Sequence, residues 1–143
     1  MRGYNPGQPV SVGAPAAGQP LVLPIPSATP IIVEAVTFKL VTNGNAANRV
    51  PLVSFLDSEG VTIVAAGLPF AQTASHTVLY SFFVGGTVYG AANSPHAGGP
   101  ILPIAADSRI TLSITVDLMD AGDKLSAIRL WAVPLEQYDD QDG

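Results

Sequence analysis

The chain has 143 residues, a formal net charge of −5 and no cysteine, with 48% of its residues hydrophobic and only 12% charged. That length suits one domain plus an extension, and the lack of cysteine removes disulfide frameworks and thiolate metal sites. Its six Lys and Arg lie scattered with no basic stripe, which argues against nucleic-acid binding.

Residues 1–30 hold seven prolines, four glycines and one charge, Arg2. Proline removes backbone donors and glycine raises the entropy of ordering, so this segment reads as an extended arm outside the sheets. Ordering thirty residues costs on the order of 30 kcal/mol. The expected source of that energy is contact with other subunits of an assembly. The apolar residues between the prolines, Tyr4, Val10, Val12, Leu21, Leu23 and Ile25, are the candidate anchors. The best apolar run of the arm, residues 21–26, is short and broken by proline, so neither a leader peptide nor a membrane span is expected.

From Ile31 the composition changes to β-branched and aromatic residues in period-two alternation. Residues 34–41 form a strand with Val36, Phe38 and Leu40 inside, closed by Asn43-Gly44. Residues 49–56 and 61–65 pair as a hairpin around Asp57-Ser58-Glu59-Gly60. Residues 75–84 are apolar on both sides and predict a central or doubly covered strand. Residues 85–100, with five glycines and two prolines, read as a long loop with one short edge strand at Thr87-Val88-Tyr89.

The cleanest alternation is 109–118, with Ile110, Leu112, Ile114, Val116 and Leu118 inside and Thr111, Ser113, Thr115 and Asp117 outside. After the turn Asp120-Ala121-Gly122-Asp123, residues 124–133 form the last strand, with Trp131 on its polar side as a rim contact or a lid under the arm. The tail, 136–143, is acidic through Glu136, Asp139, Asp140 and Asp142. The expectation is an all-β chain: an antiparallel β-sandwich of jelly-roll type with seven to eight strands over residues 31–135, an N-terminal arm over 1–30 and a tail over 136–143.

Chemistry-bearing residues are few. His76 and His96 are isolated, and no nucleophile, base and orienting group fall into a known local pattern. Asp117, Asp120 and Asp123 recur every third residue, not every second as in a calcium loop, and read as a capped turn. No catalytic residue, metal site or cofactor is expected. Tyr89 and His96 in the Gly/Pro loop, with Trp131, are the candidate contact residues of the domain's own surface.

Five segments resemble a known family: Phe38-Lys39-Leu40-Val41-Thr42-Asn43, Ala46-Ala47-Asn48-Arg49-Val50, Asp57-Ser58-Glu59-Gly60, Gln72-Thr73-Ala74-Ser75 and Ala121-Gly122-Asp123-Lys124-Leu125-Ser126. Together they make residues 31–133 similar to the small β-sandwich virion proteins of tailed bacteriophages. The resemblance implies a non-enzymatic structural protein of the virion, made in the cytoplasm of an infected bacterium. A capsid decoration or cement protein is the leading expectation, and a neck or tail accessory is the alternative. Implied partners are the major capsid protein or other virion proteins, and further copies of the chain, with a trimer favoured. From another class, a receptor- or glycan-binding module would use residues 85–100 with Tyr89, His96 and Trp131.

Overall fold

The computed structural model describes residues 8–135, which form ten strands: β1 (Gln8–Val12), β2 (Leu21–Pro24), β3 (Ile31–Val41), β4 (Val50–Leu56), β5 (Thr62–Gly67), β6 (Thr77–Phe83), β7 (His96–Pro100), β8 (Ile104–Ala106), β9 (Thr111–Asp117) and β10 (Lys124–Pro134). Two sheets result. Sheet A runs β1-β10-β3-β6-β7, with β8 also pairing β3, and sheet B runs β2-β9-β4-β5. Alternation decides which sides face each other: Val36, Phe38 and Leu40 of β3, Tyr80 and Phe82 of β6, Phe55 of β4, and Leu112 and Ile114 of β9 meet in one buried core between the sheets. Phe38 stacks on Tyr80 and Phe82 at centroid distances of 5.3 and 6.3 Å.

The fold begins earlier than the composition indicates. β1 lies antiparallel along β10, and β2 lies antiparallel along β9. Residues 13–20 cross between them beside the turn that joins β9 to β10, so residues 8–24 accompany the β9–β10 ribbon from one sheet to the other. Leu21 and Ile25 are buried in the chain's own core, and Leu23 and Val12 pack against its margin. Proline does not prevent this, because β1 and β2 are edge strands, where a missing donor can point outward. The boundary read at residue 30 therefore moves, and Leu21 and Ile25 are core residues of this chain. Tyr4 and the acidic segment 136–143 lie outside the described residues.

Three other expectations change. Residues 96–100, read as loop, form β7, which runs parallel to β6, so the sheets are not wholly antiparallel. Residues 87–89 form no strand, and Tyr89 makes a single bridge to Gly98. Leu118, expected inside, is 62% exposed with φ +58°, because the chain has already turned away there and Met119 packs against the core instead. The hairpin of β4 and β5 forms as expected: Asp57 Oδ1 accepts the N–H groups of Glu59 and Val61, and Gly60 takes φ +82°.

Candidate functional site

Four of the six buried polar residues among the described residues, Thr42, Arg49, Gln72 and Asp123, gather at the end of the sandwich where the 118–123 turn joins β9 to β10. Arg49 and Asp123 are both fully buried. The Arg49 Nε–H donates to Asp123 Oδ2 at 2.9 Å, and Nη2–H donates to Asp123 Oδ1 at 3.2 Å and to Asn43 Oδ1 at 2.8 Å. Nη1–H reaches the Ala47 carbonyl at 3.1 Å. Asp123 accepts two further bonds, from the backbone N–H of Asn43 at 2.9 Å and of Asp120 at 2.8 Å. Burial alone raises the Asp123 pKa, but the Arg49 guanidinium and these two N–H donors outweigh it and hold the carboxyl below its ordinary value.

Asp120 sits outside this pair and accepts from the Asn43 side-chain amide and from Asn45 Nδ2. The Asn43 bond, then the Gly122 N–H and Asn45, lower its pKa. On the other flank Gln72 is fully buried and exchanges backbone bonds with Arg49. Its Nε2–H donates to the carbonyls of Leu40 and His76 at 2.9 and 3.0 Å, and its Oε1 accepts the Tyr80 hydroxyl at 3.0 Å. Burial pushes the Tyr80 phenol up to about 12.

The leading segment joins the same cluster, where the Gly18 N–H donates to the Asp123 carbonyl at 2.7 Å. Gly18 has φ +74°, and a Cβ there would sit 2.8 Å from the Ala121 Cα, so only glycine fits. Every buried side-chain nitrogen and oxygen among the described residues has a hydrogen-bond partner. The cluster is thus a clasp that ties residues 18, 43, 49, 72, 120 and 123 together. The Asp120 and Asp123 carboxylates are engaged with protein donors, as in a capped turn. Among the described residues, no three His, Cys, Asp or Glu side chains come close enough to hold a metal ion.

Outside the clasp, the two outer faces of the sandwich differ. That of sheet A carries Glu34 and Lys39 of β3 with Lys124 and Arg129 of β10. Here too lie the three candidate contact residues. Trp131 faces outward between Pro9 of β1 and Ala35 of β3, and its Nε1–H donates to Thr37 Oγ1 at 3.2 Å. His96 is exposed at the start of β7. The Tyr89 ring lies over Gly98, whose added Cβ would come 2.6 Å from it, and beside Phe83 at a centroid distance of 6.4 Å. Register places Ala35 between Trp131 and Phe83, so the three aromatic rings share one face across a low floor.

Sheet B turns out Val22, Leu52, Ser54, Leu56, Ile63, Ala65, Ser113 and Thr115. Val22 is 64% exposed, Ile63 50% and Leu52 40%, and the one charge on these strands' outward positions is Asp117 at the end of β9. A shallow groove runs across it, lined by Leu52, Gly67, Leu68, Pro69 and Thr115. The sequence does not single out this face, because its outward Ser, Thr and Ala alternate with the core residues as on any two-faced strand. Of the remaining arm residues, Val10 is 39% exposed on β1.

Compared with known proteins, the chain matches no family model, no curated protein and no solved structure.

Proposed function

We propose that this chain is a non-enzymatic structural protein of a bacteriophage virion, of the capsid decoration or cement class, that docks on the major capsid protein or another virion protein. The observation that carries this reading is the outer face of sheet B. Three exposed aliphatic side chains, Val22, Leu52 and Ile63, stand on a face of Ser, Thr and Ala whose one outward charge is Asp117, while Glu34, Lys39, Lys124 and Arg129 lie on sheet A. Such a surface gains from being covered, since each apolar Å² removed from water contributes about 25 cal/mol. The clasp supports the same reading from the other side: its charged and amide groups hold the fold together and leave none of their buried atoms free for chemistry. The winding, with β3 beside β10 and β6 while β4 lies beside β9 and β5, is read as jelly-roll-like.

The entropy argument for a subunit-bridging arm loses its force for residues 8–25, which the chain's own β9, β10 and core hold. Docking through the sheet B face replaces it. Binding of purified protein to particles that lack it tests the reading, with Val22→Lys and Leu52→Lys as variants. Both should fold normally and bind at least tenfold more weakly, because each buries a charge without a partner. Unchanged binding by both variants would remove the face from consideration. On the order of hundreds of copies per purified particle supports a shell position, whereas about a dozen or fewer supports the neck or tail.

One observation favours a second reading, a glycan-binding surface: Trp131, Phe83 and Tyr89 share the outer face of sheet A with His96, Arg129 and Thr37. Glycan-array binding by the wild type that Trp131→Ala abolishes would favour it over docking by sheet B.

A further inference from the structure

A sheet edge exposes a row of unpaired backbone groups, and folded proteins blunt such rows with proline, charge, short length or a covering loop. Sheet A ends in β1 and β7, and sheet B ends in β2 and β5. Three of these edges carry such devices. β1 has Pro9 within its five residues, and β2 is four residues long and set among Pro20, Pro24 and Pro26. β7 follows Pro95 and ends in Pro100, and its outer side is closed by the paired bonds between Tyr89 and Gly98, at 3.0 and 3.2 Å.

β5 has neither proline, charge nor a covering segment among the described residues, and its one irregularity is a register shift against β4 that leaves Ile63 as an extra residue. From Val61 to Leu68 the chain reads Val-Thr-Ile-Val-Ala-Ala-Gly-Leu, without proline or charge, and β5 is bonded among the described residues to β4 alone. Val61 just before it and Ile63 within it are 57% and 50% exposed. β-branched residues on an open edge favour the addition of another strand.

We infer that β5 pairs antiparallel with β5 of a second copy, joining two four-stranded B sheets into one eight-stranded sheet across a two-fold axis. Charge selects this partner and this orientation. Each copy has a net charge of −5, so two copies repel except where the facing surfaces are neutral, and the Val61–Leu68 edge is neutral. The nearest acidic residues, Asp57 and Glu59, lie in the turn at one end of β5. Antiparallel pairing sets each of these turns beside the partner's uncharged Gly67-Leu68-Pro69 end, whereas parallel pairing would set the two acidic turns against each other. An even register matches outward Ile63 with the partner's outward Ala65 and inward Val64 with its counterpart, and it carries the Leu52–Ile63 surface across the joint. The inference stands on the edge itself and does not depend on the virion reading.

Sedimentation velocity of the full chain tests it. A contact this small belongs to the weak class, so dimer should be present at about 200 µM and largely dissociated at about 2 µM. Ile63→Lys places a charge on the open edge at an exposed position and should leave a folded monomer at both concentrations. Val22→Lys, on the opposite edge of the same sheet, should dimerise like the wild type. Amide exchange at the β5 residues whose N–H points away from β4 should slow as concentration rises. The inference is overturned by a monomer at the higher concentration, or by an oligomer of any order that Ile63→Lys leaves intact. Slow exchange, independent of concentration, at the β5 amides that point away from β4 would also overturn it, since a segment of the same chain would then cover the edge.

Discussion

Replacing Asp123 by Asn tests the clasp, because it removes one charge and one acceptor while keeping the shape. In the native fold four donors converge on this carboxylate: Arg49 Nε and Nη2, and the backbone N–H of Asn43 and Asp120. An amide offers one oxygen, so two of the four donors lose their acceptor, and Arg49 stays buried with only the more distant Asp120 as counter-charge. Breaking a buried pair in this way costs about 3–5 kcal/mol. Against a total stability of about 5–15 kcal/mol, that lowers the melting temperature by roughly 10–20 °C. Circular dichroism against temperature and urea measures it. Arg49→Met combined with Asp123→Leu should recover part of the loss, because apolar groups of similar volume leave no charge unpaired. A carboxyl held below its ordinary value contributes stability above the unfolded-state pKa of about 3.9, and loses that contribution as pH falls through the folded value. The wild type should therefore lose stability more steeply than Asp123→Asn on the acid side of about pH 4. A loss in Asp123→Asn below about 1 kcal/mol, or identical acid limbs, would refute the reasoning.

Other expectations follow from neighbouring parts of the fold. Ile25→Ala opens a cavity under a fully buried side chain and should cost about 2–5 kcal/mol in urea denaturation, an effect an external arm would not give. Gly18→Ala combines a left-handed φ with a collision at Ala121, so it should destabilise by about 1–3 kcal/mol and raise amide exchange at residues 18–25. Tyr80 should ionise near 12 in the fold and near about 10 when unfolded, so the stability it contributes is complete below about pH 10 and is lost as pH rises between the two values. Alkaline titration by phenolate absorbance should show a late-titrating component that Tyr80→Phe removes.

Strands with two distinct faces were legible in the sequence, as β3 and β9 illustrate, since Val36-Phe38-Leu40 and Leu112-Ile114-Val116 leave one buried side in each. β1 and β2 were hidden because proline there reads as a breaker, while an edge strand tolerates it. β7 was hidden for a different reason: Gly98 must be glycine, since a Cβ would fall 1.9 Å from the Ser81 carbonyl, and a strand written His-Ala-Gly-Gly-Pro shows no alternation. The Asp120–Asp123 turn was recognisable as a capped turn. Its partner was not, because Arg49 lies 74 residues away and only the register of β4 against β9 brings it there. Four of the five segments that carried the resemblance, those around residues 43, 49, 72 and 123, meet in the clasp, so they encode the stability of one end of the sandwich.

Amide hydrogen exchange on the dilute, monomeric chain tests the central claim, that residues 8–25 belong to this sandwich and leave its sheet B face and β5 edge as the surfaces for assembly. The account predicts slow exchange at β2 and at Ile25, whose N–H donates to Ile110, comparable with the β9 amides they accompany. Exchange there at the rate of an unstructured chain, while β9 stays protected, would contradict it.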